Sequence, residues 1–356
     1  MKNNTKIFLI TIIVLNILVS YFYLGYQHGL IKGDAVTYFY AAKFLDGGQM
    51  LGPEIMNRIL TVPLFLYSSI FVNYLSGDLN LSIAIVNVIF YFACVCVFYL
   101  LGREIYKENK IAILSTVLFA CNYYLIDPVN AHLADMGGWL FFLVSTYLAI
   151  RYFNSHNRKF YYLSILLAVI GVLFKEYGGF GIVSLTLLIG VSSVPNKQKI
   201  KYILVAGFLF LLPLLAYHLF VYLNYHYSYF DWFSYVKNVA SQPGYQTKSF
   251  ILFVKILGWL FSFGWLAFVF GVKEEYKTMD KNRIKILLAI LPSTLFFIIW
   301  PAITQRLAVI FMIWLALIAG FGLSKMRWYW SYPLLVIYIL FNYNIKFLID
   351  AINLPF

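Results

Sequence analysis

The chain has 356 residues, 62% of them hydrophobic and only 12% charged, with a formal net charge of +13. A soluble domain carries about 25% charged residues, so the composition excludes a soluble enzyme and indicates a polytopic helical membrane protein. The three cysteines, Cys94, Cys96 and Cys121, lie in apolar stretches with no CxxC pair or His/Cys cluster, which excludes a disulfide framework and a structural zinc site.

Apolar runs long enough to cross a bilayer at about 1.5 Å per residue recur along the whole chain. The first, 6–26, follows the polar start MKNNTK, and the bulky YFYLGYQHG after it lacks a small-residue cleavage pattern, so it reads as a retained span. The first loop, 27–80, opens with GDAVTYFYAAKFLDGG, which predicts an amphipathic helix lying in the interface and ended by Gly47 and Gly48. Asp34 falls near the start of that helix, where the helix dipole favours an ionised carboxylate. Gly-Asp before an apolar helix is equally a capping signal. The apolar segment 59–76 contains Pro63 and Asn73 and begins beside Arg58, and is expected to be a juxtamembrane or re-entrant helix. The remaining spans are expected near 82–102, 111–127, 137–153, 160–174, 179–195, 202–223, 250–271, 285–301, 306–323 and 331–349, about eleven in all with the first. An outer loop is expected at 224–249.

The basic residues set the expected orientation. They cluster in the N-terminal tail and in short turns at Arg103–Lys110, Arg151–Lys159, Lys197–Lys201, Lys273–Lys285 and Lys325–Arg327. These hold eighteen basic and five acidic side chains, so they account for the entire +13, and the rest of the chain is neutral. The positive-inside rule puts them, and the N-terminus, in the cytoplasm. That holds only if 59–76 does not cross, since one more crossing would flip every later basic turn. Such a distribution speaks for topogenesis beside anionic membrane lipids, not for nucleic acid.

On the opposite face the same topology collects Asp34, Arg58, Asp127, His132, Asp135, Lys175, Glu176 and Arg306. Acids suited to proton abstraction or metal binding and bases suited to phosphate pairing are what a reaction with a phosphate leaving group needs. Each has a plainer reading. Asp135 would cap the span after it, Asp127 before Pro128 would end a helix, and His132 would pack. Lys175 and Glu176 would form an interfacial pair, and Arg58 and Arg306 would anchor to lipid phosphates. A Gly-rich phosphate loop followed by Lys-Ser/Thr is missing, as is an inverted repeat.

The layout GDAVTYFYAAKF, then NRILTVPLFLY, then YLLGREIYKENK, then HLADMGGWLFFL resembles the GT-C superfamily of polyprenyl-phosphate-sugar-dependent glycosyltransferases. Protein O-mannosyltransferases, aminoarabinose transferases and oligosaccharyltransferase catalytic subunits are among its members. The likeness covers residues 1–180, then the KEYGG segment and the late arginine. It implies an all-α membrane fold with a catalytic module at 1–180, whose outer juxtamembrane helices lie in the 27–80 loop, and a variable membrane module at 181–356. It implies Asp34 and Asp135 as catalytic acids, and as the ligands of a divalent cation if there is one. Arg58, His132, Lys175, Glu176, Tyr177 and Arg306 become substrate-binding residues, with Lys175 and Arg306 on the lipid-linked phosphate. The implied donor is a polyprenyl-phosphate sugar and the acceptor a glycan, lipid or protein hydroxyl. A single, inverting displacement would occur on the non-cytoplasmic face, with Tyr38, Tyr40, Trp139 and Tyr177 able to stack on sugar. The chain departs from the pattern in its lone first-loop Asp and in lacking a WWD-type acceptor motif and a large soluble domain, which argues against sequon glycosylation. The competing readings are a transporter or lipid flippase with the same polar cavity, and an envelope-glycan polymerase or ligase. The latter is weakened by a 224–249 loop without arginine.

Overall fold

The computed structural model describes residues 3–23, 34–49, 52–129, 133–240, 250–299 and 305–351, and no strand occurs among them. The helices are α1 (Asn3–Leu18), α2 (Asp34–Leu45), α3 (Pro53–Thr61), α4 (Pro63–Ser76), α5 (Leu79–Tyr106), α6 (Asn109–Ala120), α7 (Tyr123–Ile126), α8 (Asp135–Ser155) and α9 (Arg158–Phe174). They continue as α10 (Gly181–Val191), α11 (Asn196–Tyr225), α12 (Tyr229–Ala240), α13 (Phe250–Phe261), α14 (Gly264–Thr278), α15 (Lys281–Thr294), α16 (Gln305–Lys325) and α17 (Trp328–Ala351). Within the described residues, four helices are long and apolar enough to cross a membrane, or up to seven if each bent pair is one span.

Other expected spans are shorter apolar helices, such as Thr5–Tyr21 and Glu176–Val191, and some apolar stretches are broken. The stretch at 111–127 bends by 70° at Cys121–Asn122, and that at 250–271 bends by 88° near Ser262. A broken helix leaves carbonyls without amide partners, and in lipid those groups must be satisfied internally. Side chains from distant helices do this. Tyr338 Oη donates to Leu118 O (2.8 Å), Tyr91 Oη to Ala120 O (3.0 Å) and Asn122 Nδ2 to Leu260 O (2.7 Å). The polar residues at the break thus join α5, α6, α13 and α17 around it.

The segment expected as one helix over 59–76 is instead two, α3 and α4, bent by 94°. Val62 between them has φ −139° and ψ 41°, because the ring of Pro63 disfavours helical geometry in the residue before it. Pro63 then opens α4, where a missing amide costs nothing. Arg58 therefore belongs to α3 and not to the apolar helix. Residues of α4 from Leu64 to Val72 share a groove with Val86, Ile89 and Phe90, so α4 packs against the first part of α5. The outer loop expected at 224–249 is partly helical too. Tyr217 and Tyr227 bond to Ile59 O and Asn57, and Tyr235 of α12 bonds to Glu54 (3.1 Å), so the end of α11 and α12 sit against α3.

The basic turns gather at one end of the bundle. Lys110 of the α5–α6 turn donates to Ser324 O at the end of α16 (3.2 Å), and Asn154 at the end of α8 bonds to Glu104 (2.7 Å). Arg283 beside the α14–α15 turn is paired with Glu275 (2.7 Å) and lies over the rings of Tyr106 and Phe321. Tyr161 near the start of α9 bonds to Tyr202 near the start of α11 (2.6 Å). Since α8 and α16 end there and α9 begins there, Asp135, Arg306 and Lys175 lie at the opposite end. A 21-residue helix such as α8 separates the two ends by about 30 Å, the thickness of a bilayer core.

Two cores follow from this arrangement. The main one fills the bundle, with Trp139, Tyr91, Phe98, Phe119 and Phe142 fully buried. A second core joins Tyr38, Ala41, Ile55, Met56, Phe65 and Val86 to Ala134 and Phe174, which seats α2, α3 and α4 on the end of the bundle where Asp135 and Lys175 emerge.

Candidate active site

At that end Asp34, the first residue of α2, meets two arginines from distant parts of the chain. Arg58 Nη2 of α3 lies 2.8 Å from Asp34 Oδ1, and Arg306 Nη2 at the start of α16 lies 2.9 Å from Oδ2. Arg58 Nε also donates to Thr37 Oγ1 (2.8 Å), one turn along α2. The capping role allowed by the sequence is therefore not what occupies this carboxylate. The surrounding protein desolvates it, which alone would raise its pKa, but Arg58 and Arg306 outweigh this and hold it well below the usual carboxylate range. With the folded value below the unfolded one, the stability Asp34 contributes is present at neutral pH and is lost only as pH falls through the depressed value. The stability difference between wild type and Asp34→Asn is expected to stay constant from neutral pH to about pH 4, and to shrink only below it, in unfolding scans across pH. A difference already fading near pH 6 would mean a carboxyl with a raised value.

Asp135 opens α8 and is 1% exposed. Its Oδ1 accepts a hydrogen bond from Tyr177 Oη (2.6 Å) and lies 3.7 Å from Arg306 Nε, so Arg306 stands between the two acids. Lys175 ends α9 and donates to Tyr38 Oη (3.1 Å), with Glu176 3.5 Å away. Tyr38 is fully buried and carries Arg58 over its ring at 4.4 Å. The cluster is continuous: Lys175, Tyr38, Arg58, Asp34, Arg306, Asp135 and Tyr177 each touch the next.

Glycines allow this convergence. A Cβ on Gly138 would fall 2.5 Å from Tyr177 Cε2 and 2.7 Å from Lys175 Cβ, and one on Gly171 would meet Gly178 O at 2.5 Å. The reversal KEYGG can thus fold back on α9 and press Tyr177 against the start of α8. Gly138→Ala is expected to destabilise the protein by about 1–3 kcal/mol and to displace Tyr177 from Asp135. A thermal midpoint equal to wild type would overturn that packing argument.

The structure brings Asp34, Arg58, Asp135, Lys175, Glu176, Tyr177 and Arg306 to one end of the bundle, while His132 lies outside the described residues. Tyr38, Trp139 and Tyr177 are at most 2% exposed, which corrects the expectation that they offer faces to sugar; Tyr40 is 37% exposed. Their large rings fill the cores, and the hydroxyls of Tyr38 and Tyr177 serve the charged groups instead. Thr37 and Tyr38, as partners of Arg58, were not singled out for that role in the sequence; their helical positions three and four after Asp34 are the signal that marks them. As a metal site the cluster fits poorly. Both carboxylates already face Arg306, and no group of three His, Cys, Asp or Glu converges among the described residues.

Residues 61–217 match the family of dolichyl-phosphate-mannose-protein mannosyltransferases. The structure of ArnT from Cupriavidus metallidurans bound to undecaprenyl phosphate superposes with a TM-score of 0.68 at 12% identity, over 95% of this chain and 63% of that one. The chain has the GT-C glycosyltransferase fold. The archaeal oligosaccharyltransferase AglB from Archaeoglobus fulgidus, in complex with an inhibitory peptide and a dolichol-phosphate, gives a TM-score of 0.59 at 13% identity over 96% of this chain and 55% of that one. The chain thus spans less than two thirds of the length of either GT-C structure. The likeness nonetheless extends well past residue 180, where the sequence resemblance thins. No curated protein matches the chain in sequence.

Proposed function

We propose that this GT-C-fold protein moves a sugar from a polyprenyl-phosphate donor to an acceptor hydroxyl at the end of the bundle remote from the basic turns, the non-cytoplasmic face by the positive-inside rule. The observation that carries the reading is Arg306 held between Asp34 and Asp135, with Lys175 and Arg58 one side chain away. The ArnT and AglB structures contain polyprenyl phosphates, which supports a donor of that kind.

In this reading Arg306 and Lys175 pair with the donor phosphate and offset the charge that grows on it as the bond to the anomeric carbon breaks. The acceptor oxygen forms the new bond to that carbon from the opposite side, so the configuration inverts. Its proton goes to Asp34, and the electron pair of the broken bond leaves with the phosphate. In the resting arrangement Asp34 is a weak base, being paired with two guanidiniums. A donor phosphate that draws Arg306 away raises its basicity at the moment it is needed. Tyr177 holds Asp135 toward Arg306, which keeps the guanidinium poised between the acids and the phosphate. Sugar and acceptor identity rest on contacts that the substrates themselves would make.

Purified protein in liposomes containing a polyprenyl-phosphate sugar is expected to release polyprenyl phosphate and glycosylate an added acceptor, with the product read by mass spectrometry. Donors screened across hexoses and pentoses without turnover, by protein shown to be folded, would overturn the reading. Flux of intact donor across the bilayer without transfer would favour a flippase.

A further inference from the structure

A second polar feature lies apart from this cluster, in a lateral groove of about 590 Å³ where α13 bends into α14. Its walls are apolar, formed by Val254, Trp259, Phe263, Leu266 and Phe341, except for Lys255 and Ser262. Lys255 lies on the exposed side of α13 and is the groove's one charged lining residue among the described residues. It has no acidic partner among the described residues. Ser262 marks the 88° bend, with φ at +41°, and its hydroxyl oxygen is buried without a hydrogen-bond partner. None of the groove's lining residues belongs to the Asp34–Asp135 cluster.

An unpaired ammonium on an otherwise apolar helix is costly in a membrane and normally finds an anionic group. The groove supplies the other requirement, an apolar trough that suits an acyl chain. We propose that it binds a membrane phospholipid with an anionic headgroup that pairs with Lys255, with one acyl chain lying along Trp259, Phe263 and Phe341. The charge selects the headgroup and the aromatic wall holds the tail. Because α14 runs to the basic turn, α13 lies in the half of the bundle that also holds the Asp34 cluster, so the bound lipid would sit in that half of the membrane.

The test is native mass spectrometry of the full chain in detergent, titrated with dioleoyl-phosphatidylglycerol or dioleoyl-phosphatidylcholine. Wild type is expected to retain phosphatidylglycerol in preference to phosphatidylcholine. Lys255→Gln should weaken that retention by about fivefold, the ratio one basic side chain at an anionic headgroup surface supplies, and weaken phosphatidylcholine, whose own ammonium offsets its phosphate, by less. Lys255→Arg should restore it without changing the thermal midpoint of the lipid-free protein. Equal retention of the two lipids by wild type, or undiminished phosphatidylglycerol binding by Lys255→Gln, would overturn the proposal. Stoichiometric displacement of phosphatidylglycerol by polyprenyl monophosphate would assign the groove to the carrier and likewise overturn it. None of these outcomes depends on catalysis, so they stand apart from the transfer assay.

Discussion

Asp34→Asn is expected to lower sugar transfer by about 10²–10⁴-fold, the range that a positioned general base contributes, in a protein that still folds. Asparagine keeps the size and one acceptor oxygen, so a hydrogen bond to one of the two arginines survives. What it loses is the charge that pairs with both Arg58 and Arg306, and the capacity to take a proton. The side chain is 44% exposed, so part of the electrostatic loss is screened and the fold itself should tolerate the change. A purely tethering role for Asp34 predicts a lowered melting temperature with a near-normal turnover number. Measuring transfer and the unfolding midpoint on the same preparation separates the two. Full activity in folded Asp34→Asn would remove Asp34 from the chemistry.

The second large effect concerns Arg306 and Asp135 as a pair. Arg306→Gln leaves the carboxylate of Asp135, 1% exposed, facing no guanidinium. Removing one partner of a buried ion pair costs roughly 3–5 kcal/mol. With Arg306 itself 31% exposed and 3.7 Å away, the loss here should fall below that range, at about 2–3 kcal/mol. Adding Asp135→Asn removes the uncompensated charge while its amide oxygen still accepts from Tyr177, so the double variant should recover most of the stability. Activity should not recover, because the cation proposed to face the donor phosphate is still missing. A double-mutant cycle in both quantities, unfolding and transfer, reads this directly. Purely additive stabilities would show that the two residues do not act through one another, and recovered transfer in the double variant would dismiss Arg306 as a phosphate partner.

The membrane class, the helical fold and the segregation of charge were legible in the sequence because each is a property of composition and order along the chain. Even the residues of the cluster were named, since polar side chains beside apolar helices are few. The sequence was less informative where the local pattern permits two outcomes. Gly-Asp before an apolar helix reads equally as a cap or a site, and only the arrival of Arg58 and Arg306 from 24 and 272 residues away decides between them. The apolar run over 59–76 hides the bend at Val62, although Pro63 marks its place. Tyr38 and Tyr177 carry the same side chain as the lipid-facing tyrosines; burial beside Arg58 and Asp135 is what sets them apart.

The sequence by itself determined that this chain is built of apolar membrane-type helices joined by basic turns, because hydrophobic length and turn charge act locally and need no partner. The tertiary structure decided which acid is clamped by which base, which aromatics are core and where apolar helices break. Those outcomes depend on groups brought together across the whole chain, and on glycines small enough to let them meet.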